Sequence, residues 1–113
     1  GNVFNKNKCN SRKSDIRSTT SVGKYSPQGD SFYGVADMAG NVWEWTRSLW
    51  GFKYPYTFDD GRDDENKKDG SRVLRGGSFG DYQDFVRCAS RNFYAPGNHL
   101  NYLGFRVCVS PVS

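Results

Sequence analysis

Gly34-Val-Ala-Asp-Met-Ala-Gly-Asn-Val-Trp-Glu-Trp-Thr46 is the stretch on which the fold turns. Asn41 to Thr46 alternates with a period of two, so Val42 and Glu44 share one face of a strand while Trp43 and Trp45 share the other. Two tryptophans on one side give that strand an aromatic inner face. The preceding Tyr33–Gly40 reads as a helical turn stopped by Gly40.

Shorter signals lie on either side. Val73-Leu-Arg-Gly-Gly-Ser78 reads as a strand running into a glycine turn. Val86 to Arg91 and Leu103-Gly-Phe-Arg-Val-Cys-Val109 alternate and read as two more strands. Ser21 to Pro27 reads as a short extended segment ended by proline. Residues 51–71, with the run Asp59-Asp60-Gly61-Arg62-Asp63-Asp64, form a long solvated loop. That run lacks the glycine spacing and closing glutamate of an EF-hand. Residues 1–19 are rich in Asn, Lys and Ser and read as an irregular lead-in; residues 20–113 carry the domain. The expected class is α+β with little regular secondary structure.

At 113 residues the chain fits one small domain. Apolar residues make up only 35%, but 3 Trp, 7 Tyr and 8 Phe supply ring area enough to organise a loop-rich core. The net charge of +4 is uneven, since all seven lysines precede residue 69. The densest basic run, Lys6 to Arg17, is almost free of aromatics, so nucleic acid is not the expected partner. No apolar run is long enough to span a bilayer. Cys9, Cys88 and Cys108 match no zinc spacing. They leave open one disulfide with a free thiol, or three thiols.

Three segments taken together resemble the formylglycine-generating-enzyme (sulfatase-modifying factor) family. They are Gly34 to Thr46, then Arg72-Val-Leu-Arg-Gly-Gly-Ser-Phe79, then Arg87-Cys-Ala-Ser-Arg91 followed by Gly104-Phe-Arg106. The first is similar almost letter for letter to that family's "G-L-Y-D-M-x-G-N-V-W-E-W" core. The resemblance covers roughly residues 20–110, the C-terminal half of the family's domain. The "R-L-P-T-E-A-E-W-E" segment of the other half is not in this sequence. The resemblance implies a variant of the C-type lectin fold. It also implies a structural calcium ion, held by the Asp37 and Glu44 side chains and the Gly40 and Val42 carbonyls, with a second near Asp15. Hard oxygens of this kind suit calcium. The competing reading is that Asp37 caps the turn and Glu44 pairs with an arginine. Arg75, Arg91 and Arg106, set beside apolar strand residues, need carboxylate or carbonyl partners.

Catalytic members of that family place two cysteines and copper between the "R-G-G-S" and "R-x-A-x-R" segments. Here that interval is Phe79 to Val86 and contains no cysteine. Without thiolates there is no soft Cu(I) ligand and no redox pair, so no copper and no such enzyme activity is expected. His99, the one histidine, has no motif beside it.

Other members of the superfamily are variable proteins of diversity-generating retroelements. Their adenine-directed diversification excludes Lys, Glu, Gln, Met and Trp from the varied positions. From Phe79 to Tyr102 only Gln83 belongs to that set, against 14 of the first 78 residues, a rate that would place about four in the window. Rings and short polar groups alternate there, as in a paratope. The expected contact set is Phe79, Asp81, Tyr82, Asp84, Asn92, Phe93, Tyr94, Asn98, His99, Asn101 and Tyr102. Two or three rings of this region are expected in the core, Phe85 first. The expected partner is a protein or glycan surface, with a missing N-terminal half or other subunits as further partners. The setting expected is secreted, cell-surface or virion-associated. A fragment of a formylglycine-generating or related oxidoreductase is the alternative.

Overall fold

The computed structural model describes residues 3–109. Its framework is one four-stranded sheet of β1 (Trp43–Leu49), β2 (Arg72–Arg75), β3 (Arg91–Tyr94) and β4 (Leu103–Gly104). The order is β3-β2-β1-β4, with β2 antiparallel to both β1 and β3, and β4 parallel to β1. A 3-10 turn at Arg12–Ser14 is the only helical element among the described residues. Little regular structure was expected, and little is present.

The alternation read from Val42 to Trp45 sets the two faces. Trp45, Leu74 and Asn92 form one cross-strand row, and Glu44, Arg75 and Arg91 form the next. Neighbouring rows point to opposite faces. Trp43 is 2% exposed and Leu74 fully buried; Trp45 is half-buried. The aromatic face of β1 is therefore the core face. Thr46 Oγ1 donates to the Val73 carbonyl at 2.8 Å, and a register shift follows before Leu49.

Several boundaries differ from the sequence reading. Residues 33–40 form turns, not a helical turn, because Gly34, Asp37, Gly40 and Asn41 all hold φ between 56° and 75°. Residues 21–29 turn as well; the Ser26 and Gly29 amides donate to the carbonyls of Gly23 and Tyr25. Val86–Arg91 is not a strand. The Phe85 amide donates to the Tyr82 carbonyl, the Ser90 amide to that of Arg87, and the Arg87 Nε and Ser90 Oγ both donate to the Asp84 carbonyl. These local bonds fold 82–90 into turns, and the strand begins at Arg91. Val86 takes the inward position there, and Phe85, expected in the core, is 55% exposed. Only Leu103–Gly104 of the last expected strand pairs; Phe105, Val107 and Val109 are exposed.

The stretch read as a lead-in is packed into the domain. Cys9, Asn10 and Ser11 are buried. The Asn10 carbonyl accepts from the Asn41 amide at 2.8 Å, and its Nδ2 donates to Asn41 Oδ1 at 3.1 Å. Asn10 Oδ1 and Ser11 Oγ are buried without a partner among the described residues. All three cysteines are free thiols, with Cys9 buried and the other two exposed. Burial pushes the Cys9 thiol up.

The long loop is held by a buried cation. Arg62 donates to Asp60 and to the Lys53 and Pro55 carbonyls, beneath the Phe52 and Tyr56 rings. Beside it, Ser48 Oγ donates to Asp63 at 2.6 Å and the Tyr56 hydroxyl donates to the other oxygen, which holds the Asp63 carboxyl below its usual range. A depressed carboxylate stabilises the fold above its ordinary pKa of 3.8, and that contribution is lost as pH falls through the lower folded value. Ser48→Ala is expected to raise the Asp63 pKa toward 3.8, read by NMR titration of its carboxyl. An unchanged titration would mean that the Ser48 bond does not hold this charge.

Candidate functional site

The expected contact residues come from the β2–β3 connection, from β3 itself and from the β3–β4 connection, and the structure divides them. Asp81 is a strut. Its Oδ2 accepts from Trp43 Nε1 at 2.8 Å, from the Ser78 amide at 2.9 Å and from Ser78 Oγ at 2.6 Å. Three donors on one carboxylate oxygen tie the β2–β3 loop to the central tryptophan of β1. The Phe79 amide adds a bond to the Asn41 carbonyl at 2.9 Å, and the Arg12 amide binds the Asp81 carbonyl.

Beyond that anchor the loop is open. Tyr82 and Asp84 are exposed, and the Arg12 guanidinium lies 4.9 Å from the Tyr82 ring centre. Arg12, Asp15, Arg17, Phe79, Gly80 and Tyr82 line a groove of about 480 Å³. Arg12 and Arg17 were not expected at the site, because a basic run without aromatics reads as solvated surface until the fold brings rings to it.

The end of β3 and the β3–β4 connection contribute a second group. The Tyr94 and Tyr102 hydroxyls meet at 3.0 Å, which raises the Tyr102 pKa. His99 and Asn101 are exposed beyond them, and Asn98 Nδ2 closes its own turn on the Ala95 carbonyl. Phe93 stands apart. Neighbours along a strand point to opposite faces, so Phe93 and Tyr94 do not share a surface. Phe93 stacks on Trp50 with ring centres 4.5 Å apart. Asn92 Oδ1 accepts from the Phe93 amide at 2.9 Å.

The residues expected to hold calcium are drawn into another arrangement. Both Glu44 oxygens accept from Arg106, Oε2 from Nε at 2.6 Å and Oε1 from Nη2. Arg106 also donates to the Ala36 and Asp37 carbonyls, each at 3.0 Å. Asp37 Oδ2 accepts from the Gly23 amide at 2.7 Å. A guanidinium thus takes the Glu44 carboxylate expected for the cation, together with the Ala36 and Asp37 carbonyls and not the expected Gly40 and Val42 ones, and Glu44 raises the Arg106 pKa. As arranged, the Glu44 carboxylate fits an arginine and the Asp37 carboxylate caps a backbone amide, so neither side chain is set for calcium. Asp15, the guess for a second ion, is exposed and paired with Arg17 at 2.9 Å. No group of three or more His, Cys, Asp or Glu side chains converges among the described residues. No helix there is long and apolar enough to cross a membrane.

The model of the sulfatase-modifying factor enzyme 1-like domain matches residues 2–111. The chain is 38% identical over 90 residues to serine/threonine-protein kinase pkn1 of Chlamydia pneumoniae, covering 78% of this chain and 14% of that protein. It is 32% identical over 102 residues to the formylglycine-generating enzyme of Thermomonospora curvata, covering 83% and 32%. Among solved structures it is similar to Treponema denticola variable protein 1, with TM-score 0.66, 30% identity and coverage of 88% and 35%. It is also similar to PvdO from Pseudomonas aeruginosa, with TM-score 0.73, 30% identity and coverage of 93% and 40%. In every case the chain spans less than half of the relative's length. The likenesses bear out the fold expected, the formylglycine-generating-enzyme variant of the C-type lectin fold. With its Trp43-centred sheet, its Glu44–Arg106 clamp and a model match running nearly end to end, the chain belongs to the sulfatase-modifying factor enzyme 1-like family.

Proposed function

We propose that this chain is a non-catalytic binding module whose β2–β3 and β3–β4 loops present rings and short polar groups to a protein or glycan surface. The observation that carries this reading is the division of labour in the loops. Asp81 fixes the base of the first loop to Trp43, while Tyr82, Asp84, His99 and Asn101 are exposed to solvent. A rigid frame with free tips is what a changing contact surface needs. The likeness to a Treponema variable protein and the scarcity of excluded residues from Phe79 to Tyr102 support a retroelement-diversified module. Such a module works outside the cell or on its surface.

The test is at the gene. A second genomic copy of the segment encoding Phe79 to Arg106, differing almost only at adenines, is expected near it. Absence of any such copy overturns the diversified reading. At the protein, alanine at Tyr82, Asp84, His99 and Asn101 together is expected to leave the melting temperature within a few degrees, since exposed substitutions cost little. A drop of ten degrees or more would make these residues structural.

A second reading is a fragment of a larger oxidoreductase of the family. Its support is the partial coverage of the relatives, together with Phe32, Tyr33, Phe105, Val107 and Val109, which are all at least 77% exposed. Exposed apolar residues of this number mark surface that another domain or subunit covers. The missing thiol pair of the Phe79–Val86 interval speaks against formylglycine generation by this segment itself.

A further inference from the structure

One row of the sheet carries an imbalance of charge. Glu44, Arg75 and Arg91 stand opposite one another on β1, β2 and β3, facing the same side. Two arginines directly across an antiparallel pair repel. The single carboxylate of the row does not relieve them, because both its oxygens are engaged by Arg106. Arg75 finds neutral acceptors, the Ala89 and Ser90 carbonyls at 3.2 and 3.3 Å, and takes a 3.4 Å bond to the Tyr54 hydroxyl. Arg91 has neither a hydrogen bond nor an ion pair from its side chain among the described residues. Its guanidinium is instead clasped by two rings, 4.9 Å from the Trp50 centre and 4.6 Å from the Tyr54 centre.

We propose that Arg91, seated between Trp50 and Tyr54, is a receptor for a carboxylate on an acidic peptide segment from a binding partner. The rings remove the freedom a long side chain would lose on binding, and a guanidinium held by its faces keeps its N–H edge for a planar two-oxygen acceptor. Arg75 adds a second positive charge across the strand pair. A peptide is favoured because β3 is the edge of the sheet, with no strand beyond it among the described residues. The Phe93 amide on that strand is met by its own neighbour's Asn92 Oδ1. An extended chain added along β3 would pair with its backbone and set an acidic side chain over Arg91. Trp50, Tyr54 and Phe93 remain partly exposed and would flank it. This face is the one opposite Tyr94 and Tyr102, so the site does not depend on the loop reading above.

The experiment uses the full-length protein and two capped hexapeptides, one alternating Val with Glu and the other Val with Gln. Calorimetry at low salt measures both, and the Arg91 Nε–H resonance reports the contact. The Glu peptide is expected to bind at least about tenfold more tightly than the Gln peptide and to weaken with added salt. It is expected to shift the Arg91 resonance. Arg91→Gln is expected to abolish the preference. Arg91→Lys keeps the charge without the fork and is expected to weaken binding several-fold, so it serves as the reading if the glutamine variant does not fold. Equal binding of the two peptides overturns the proposal, as does an unmoved Arg91 resonance or full affinity in Arg91→Lys. Tighter binding of a uronate oligosaccharide than of the Glu peptide overturns the assignment to a peptide.

Discussion

Trp43→Ala is expected to destabilise the domain by about 3–5 kcal/mol, the range for removing a large buried ring. The side chain is 2% exposed and sits on the central strand, so few neighbours can move to fill its place. Its indole N–H is also one of three donors to Asp81 Oδ2, which ties the β2–β3 loop to the sheet. Trp43→Phe isolates that second role. It keeps most of the ring and drops the N–H, leaving Asp81 with both Ser78 donors, and about 1–2 kcal/mol is expected from the lost bond and imperfect packing. Chemical denaturation of the two variants, with Asp81→Asn and the Trp43→Phe, Asp81→Asn double variant, measures the coupling. A Trp43→Ala cost below about 1 kcal/mol would mean that this ring does not organise the core.

Gly40→Ala is expected to cost about 2–5 kcal/mol. Gly40 has φ +75°, where a residue with a Cβ is strained by about 1–2 kcal/mol. The new Cβ would also lie 2.2 Å from the Asn10 carbonyl oxygen and 2.9 Å from its carbon. Both are backbone atoms, so relief requires moving the packed segment around Asn10, at about 1–3 kcal/mol more. That segment is held here by the bond from the Asn41 amide to the Asn10 carbonyl, and Gly40 itself is held by its amide's bond to the Gly76 carbonyl. Gly61→Ala is the internal control. It has φ +85° but nothing within 4 Å of the added carbon, so strain alone is expected. Thermal melts that place the two variants level would show that the Asn10 contact is not tight.

The sequence was most legible where one short range of residues decides the outcome. The alternation from Val42 to Trp45 named the central strand and its buried side, because side-chain direction in a strand depends on nothing beyond the neighbouring residues. The expectation that Arg75, Arg91 and Arg106 need partners was right for two of them, and carbonyls or a carboxylate serve there. Arg91 was answered by rings from Trp50 and Tyr54, about 40 residues away, which no local pattern connects. The helical turn expected before Gly40 failed because Asp37 and Asn41 adopt left-handed backbone, a choice enforced by tertiary bonds such as Asp37 to the Gly23 amide. Val86–Arg91 alternated like a strand yet turned, since the Asp84 carbonyl offered its side chains a local acceptor. The structural role of Asp81 was hidden in the same way. Asp81 looked like any short polar loop residue, and only the fold shows it beneath the indole.

Asp81 also bears on how many different surfaces this scaffold can display. A combinatorial library over the β2–β3 interval would lose most clones if Asp81 were randomised, because any replacement without a side-chain acceptor at this length leaves the Ser78 and Trp43 donors unmatched. Gly77 and Val86 are similarly closed, since a Cβ on the glycine would meet the Val86 side chain at 2.8 Å. Tyr82, Gln83, Asp84 and Phe85 are exposed and lie between these fixed posts. Between those posts the repertoire is therefore set by four adjacent positions, and a display library built on this domain should spend its codons first there and on His99 and Asn101.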